Sequence, residues 1–214
     1  MIRDVKLASL LREMRDPEHR FTFSCWDAHH WSAVLGQPDF VSTPADHAAD
    51  SALCYDLAGV LHSKPEYTLG VTQDAVRLAG DHIREFLHES DLSDLKWVSG
   101  DVFSSAKGSD QDLILSALRS RKILLVGPEY VSKISRLGVE PWGRVITAPK
   151  NCFQNLRSVF RKVMAAVESQ TDSILIVISA SLASGLLCDW LHTRLGSEHS
   201  VVDLGGFLHS VLRN

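Results

Sequence analysis

Two short runs limit what this chain can fold into: RKILLVG over residues 121–127 and SILIVIS over residues 173–179. Each is apolar at consecutive positions, with none of the alternation that a half-exposed strand shows. Runs of this length, rich in Ile and Val and bounded by turn residues, are strands buried on both faces. A strand buried on both faces needs a layer of helices above it and another below. The rest of the sequence supplies them. From Tyr67 onward, strand-like and helix-like segments alternate. YTLGV, LKWVSG, GRVITAP and SVVDLGG are further strands. Between them, QDAVRLAGDHIREFLHES, DQDLILSALRS, EYVSKISRLG, CFQNLRSVFRKVMAAVES and LASGLLCDWLHTRLG have helical spacing, and FLHSVL is a closing helical turn. Thr72 is placed to cap the first of these helices, and Asn151 to cap the fourth. Before Tyr67, Leu7, Leu10, Leu11 and Met14 mark a helix that Asp16-Pro17 ends. FTF at Phe21 is a short strand, and QPDFVSTPAD is a loop. DHAADSALCYDLAGVLHS is a second helix, with Ala49, Leu53, Leu57, Val60 and Leu61 at helical spacing. The expected fold is α/β, a Rossmann-like and mostly parallel sheet with helices on both faces plus an N-terminal helical portion. No linker or repeat interrupts it, so residues 1–214 read as a single domain.

Composition removes several functional classes. A net charge of −4 argues against broad nucleic-acid binding. The longest apolar runs are broken by Ser and Gly, too short to span a bilayer. The first residues are charged throughout and do not read as a secretory leader. Cys25, Cys54, Cys152 and Cys188 are far apart in sequence. They read as reduced thiols of a cytoplasmic protein.

In parallel sheets, ligands bind beyond the carboxyl ends of the strands. That rule points to Gly127-Pro128-Glu129, Pro149-Lys150-Asn151, Ser179-Ala180-Ser181 and Asp203-Leu204-Gly205-Gly206. Each joins a strand end to a helix start, where free N–H groups suit phosphate. A fifth stretch, FTFSCWDAHHWSAVLG over residues 21–36, gathers Asp27, His29 and His30 between two tryptophans. Asp46-His47 is another acid–imidazole pair nearby in sequence. The chain has no GxxxxGK[ST] loop, GxGxxG fingerprint or GxSxG elbow.

Taken in order, RKILLVGPEYVSKISRLG, GRVITAPKNCFQNLRSVF and SILIVISASLASGLLCDWLHTRLGSEHSVVDLGGFLHSVL resemble the GT-D type glycosyltransferases. In that family a strand ends in Val-Gly, and a second strand leads to a proline and an asparagine opening a long helix. A strand–turn–helix then precedes Asp-hydrophobic-Gly. YDLAGVLHSKPEYTLGV and WVSGDVFSSAKG are similar to family segments as well. The resemblance implies transfer of a sugar from a nucleoside diphosphate donor to a hydroxyl acceptor on a protein, glycan or modified nucleic acid. It places the donor near Gly127, Pro149, Lys150, Asn151, Ser179, Ser181 and Asp203.

The family also carries an Arg-aromatic-Gly-Asp-Gly-Glu-aromatic signature. Its two carboxylates hold a divalent cation, manganese or magnesium, against the donor diphosphate. Laid without gaps, Trp26, Trp31 and Leu35-Gly36 fall in register with it. The Arg then falls on Cys25, and Asp-Gly-Glu on Ala28-His29-His30, so both carboxylates are missing. A one-residue shift aligns Asp27 and His29 with the acidic pair but breaks the register of Trp31 and Gly36. Three readings stay open. Asp27, His29 and His30 rebuild a metal site, with imidazole favouring manganese or zinc. Alternatively, Lys150, Lys133 and helix N-termini meet the leaving-group charge without a metal, and His29 or His30 is a general base. In the third, the chain is a catalytically inactive relative that binds a nucleotide sugar or a protein partner.

Overall fold

The computed structural model describes residues 2–3, 5–37, 51–168, 170–196 and 198–212. The Asp46-His47 pair lies outside the described residues.

Seven strands form one sheet: β1 (Thr22–Trp26), β2 (Thr68–Val71), β3 (Trp97–Ser99), β4 (Ile123–Gly127), β5 (Gly143–Ile146), β6 (Leu175–Ile178) and β7 (Ser200–Asp203). Their order is β3-β2-β1-β7-β6-β4-β5, and every pairing is parallel. The expected α/β architecture is therefore present. β1 continues to Trp26, beyond the FTF segment, because Ser24, Cys25 and Trp26 are buried with the rest of the strand.

The helices are α1 (Leu7–Arg15), α2 (Ala28–Leu35), α3 (Ser51–His62), α4 (Gln73–Glu89), α5 (Ser109–Arg119), α6 (Leu156–Val167), α7 (Ala183–Leu195) and α8 (Phe207–Leu212). Successive strand residues point to opposite faces, which divides the core into two layers. Leu124, Val126, Ile176, Ile178 and Val201 face α2, α3, α4, α6 and α7. Ile123, Leu125, Leu175, Val177 and Val202 face α1, α5, α8 and a 3₁₀ segment at Glu129–Leu137. The topology follows from the handedness of parallel crossovers. Connections over the first face all step one way along the sheet. Those over the second, β3 to β4 and β4 to β5, step back. The direction therefore reverses between β4 and β6, where a crevice opens at the strand ends.

Two caps differ in outcome. Thr72 caps α4 as its sequence position predicts, its hydroxyl accepting from Ala75 N at 3.3 Å. Asn151 does not cap α6. It is left-handed, with φ of 51°, and makes no capping hydrogen bond. A 3₁₀ turn at Cys152–Asn155 comes between it and the helix. Asn tolerates the left-handed region better than most residues, so its role is to turn the chain.

Candidate active site

β1 delivers the acid–imidazole cluster to the carboxyl edge of the sheet. Asp27 is the N-cap of α2: its Oδ1 accepts from His29 N at 2.9 Å and from His30 N at 3.1 Å. Gly36 ends the helix in the left-handed conformation, with φ of 64°. His30 holds the third helical position, where a capping box normally has Glu or Gln reaching back to the N-cap. Its Nδ1 stands 2.8 Å from Asp27 Oδ1 and 3.3 Å from Asp27 N. The shorter contact decides the tautomer. A carboxylate oxygen cannot donate, so Nδ1 carries the hydrogen and donates to Asp27. Desolvation works to raise the Asp27 pKa, but the charge and hydrogen bonds of His30 hold it down at about 2.

Behind this turn, Trp26, Trp31 and Trp97 pack together, with ring centroids 5.4 to 6.3 Å apart. His30 lies against Trp26 at 5.4 Å and is 2% exposed. On its other side is α7, where a Cβ placed on Gly185 would stand 3.6 Å from His30 Nε2. Among the described residues, that nitrogen is buried without a hydrogen-bond partner, as is Nδ1 of His29.

Asp203 ends β7, the neighbour of β1. Its Oδ2 accepts from Ser184 Oγ at 2.6 Å and from Cys25 N at 3.4 Å, and its Oδ1 accepts from Gly205 N at 2.9 Å. Burial raises its pKa, and the hydrogen bonds from Ser184 and Gly205, the charge of His30 and the hydrogen bond from Cys25 partly oppose the rise. Cys25 beside it is pushed far up, first by burial and then by Asp203 and Asp27, so it stays a thiol.

These groups open onto a cleft of about 620 Å³ along the strand ends. Asp27, His29 and His30 form one end. Asp203, Gly205 and His209 follow, then Ser179, Ser181 and Ser184 around the start of α7. Pro128 and Tyr130 stand beyond β4, and Pro149 and Lys150 close the cleft beyond β5. Five of the seven residues that the resemblance places near the donor therefore meet in one place: Pro149, Lys150, Ser179, Ser181 and Asp203. Gly127 and Asn151 do not line the cleft. Gly127 instead meets a packing need, since a Cβ there would lie 2.9 Å from the carbonyl oxygen of Ser179. Asp203 is turned inward, its oxygens occupied by the protein. Tyr130, His209 and Ser184 were not legible as site residues. Tyr130 and His209 meet edge to face at 5.9 Å, from segments 79 residues apart in sequence. No local motif records that contact.

The rebuilt metal site fares differently. Among the described residues, no group of three or more His, Cys, Asp or Glu side chains stands so as to hold a metal ion. The reason is visible in the turn itself. Asp27 Oδ1 is committed to the cap, and His30 Nδ1 faces Asp27 rather than a shared point. The three side chains do not fit a cation cage.

No family model matches the chain, and no curated protein matches it. Solved structures do. One, described as "The highly conserved domain of unknown function 1792 has a distinct glycosyltransferase fold", superposes with a TM-score of 0.67 at 15% identity. The match covers 96% of this chain and 79% of that one. Another, "A New Glycosyltransferase (DUF1792) from Streptococcus sanguinis", gives a TM-score of 0.65 at 13% identity over 97% of this chain and 82% of that one. The chain has the fold of these structures, as the order of its motifs predicts. Among the described residues, no helix is long and apolar enough to cross a membrane.

Proposed function

We propose that the chain is a glycosyltransferase using a nucleoside diphosphate sugar, with the donor lying along the cleft. The observation that carries this reading is the cleft itself, with its polar groups set along the strand ends. It runs the strand ends from Asp27 and His30 at β1 to Lys150 at β5, on a fold shared with structures described as glycosyltransferases. α7 begins midway, at Ala183, just after Ser181. The positive end of its dipole suits a diphosphate, and Lys150 adds a cation. Stabilising the departing diphosphate is the main electrostatic demand of this reaction. Among the described residues, those around Asp27 make no ligand set for a metal.

A hydrolase reading has less support. Among the described residues, none of the cleft serines hydrogen-bonds an imidazole; Ser184 donates to Asp203 instead. Cys25 is held as a thiol. Neither has the activated nucleophile that covalent hydrolysis needs.

The test is a panel of UDP-, GDP- and dTDP-sugars, followed by thermal shift with and without manganese, and then by release of nucleoside diphosphate. At least one donor is expected to raise the melting temperature and to be consumed. If no donor in the panel stabilises the protein, the reading fails. Stabilisation without turnover identifies an inactive sugar-nucleotide-binding relative.

A further inference from the structure

Buried polar groups are nearly always satisfied, so an exception at a cleft calls for a partner. His30 is such an exception. One nitrogen is tied to Asp27 at 2.8 Å, and the other is buried with no hydrogen-bond partner among the described residues. The tie leaves Nε2 as the unprotonated nitrogen of the neutral ring, so what it lacks is a donor. Asp27 stands on one side of the ring, 2.8 Å from Nδ1. The ring cannot swing away, since Trp26 packs against it. Gly185 passes the Cδ2–Nε2 edge without a side chain, the nearest Cβ position being 3.4 Å from Cδ2. His29 lacks this arrangement, because among the described residues its buried Nδ1 has no hydrogen-bond partner to fix the ring.

We propose that His30 is the general base of the transferase reaction and that Asp27 is the residue that positions it. The inference rests on the transferase reading above. The acceptor hydroxyl donates to Nε2. Its oxygen lone pair forms the new bond to the anomeric carbon, while the bond from that carbon to the donor phosphate oxygen breaks. That electron pair leaves with the nucleoside diphosphate, and the hydroxyl proton stays on Nε2. The imidazolium returns it to water after product leaves. Burial of Nε2 has a use in this scheme. A base screened from bulk water activates the hydroxyl that is bound to it and leaves the donor intact otherwise.

The experiment uses the full chain and whichever panel donor wild type consumes, with p-nitrophenyl glycosides as acceptors. His30→Gln keeps a polar side chain of similar reach. It is expected to lower kcat by about 100-fold or more, with unchanged affinity for the nucleoside diphosphate and a lowered but still cooperative melting transition. His30→Gly, assayed with and without added imidazole, is expected to recover part of its turnover when imidazole is present, which a merely structural role does not produce. Asp27→Asn keeps a good N-cap but loses the carboxylate, and is expected to lower kcat while KM holds. Folded His30→Gln with near wild-type kcat, or no imidazole rescue of a folded His30→Gly, overturns the assignment of the base alone. A wild type that consumes no donor overturns the transferase reading and this one with it.

Discussion

Asp27 and Asp203 are two carboxyls at the same sheet edge whose environments pull in opposite directions. Their effects on stability have opposite signs. Asp27 titrates low in the folded protein, at about 2, so its stabilising contribution is full above the unfolded value. That contribution is lost as pH falls from about 4, the ordinary carboxylate range, through its folded value. Asp203 titrates high, so what it contributes is full below the unfolded value and is lost as pH rises through its folded one. Urea titrations of wild type and Asp27→Asn between pH 2 and 5 separate the two. Wild type is expected to lose stability across the lower part of that range, and Asp27→Asn to lose less. Equal slopes for both proteins contradict the ion pair. Net charge and composition do not distinguish these two aspartates. Their difference comes from burial, which prevails at Asp203 despite the Ser184 hydrogen bond, and from His30, whose charge and hydrogen bonds outweigh burial at Asp27.

At the scale of the element, glycines show how far local sequence carries. Gly127 sits where β4 and β6 end side by side. A Cβ there would lie 2.9 Å from the Ser179 carbonyl and 3.0 Å from Val131 Cγ2. Backbone cannot yield as a flexible side chain does, so Gly127→Ala is expected to cost about 1–3 kcal/mol. Gly59, inside α3, has nothing within 4 Å of its Cβ position. Gly59→Ala is expected to stabilise by about 0.5–1 kcal/mol. Urea midpoints of the two variants should move in opposite directions, and movement in the same direction would contradict the packing described. Strands and helices were readable because burial on both faces leaves its mark on consecutive residues, as in ILLV and LIVI. The cap at Thr72 was readable too, because its geometry is local. Asn151 was misread as a cap because its left-handed backbone leaves no sign in composition. The inward turn of Asp203 was hidden for another reason: it depends on Ser184 and Cys25, which lie far away in sequence.

Across the whole molecule, both helical layers rest on the same strands. Leu124 and Val126 belong to one layer and Ile123 and Leu125 to the other. Neither layer can separate without exposing the face of β4 that it covers. Urea unfolding followed by tryptophan fluorescence, which reports the Trp26–Trp31–Trp97 cluster, is therefore expected to coincide with far-UV circular dichroism. Two distinct transitions would show that the chain divides into separate units. The place of β7 has a further consequence. It is the last of the seven strands among the described residues, yet it lies between β1 and β6 in the middle of the sheet. During synthesis, β1 leaves the ribosome well before β7 and must wait for the five strands between them before its second neighbour exists. Until then the nascent polypeptide has two half-sheets with bare, sticky inner margins, the stage at which chaperones and misassembly compete. The cleft follows the same schedule: Asp27 and His30 are made long before Asp203 and His209.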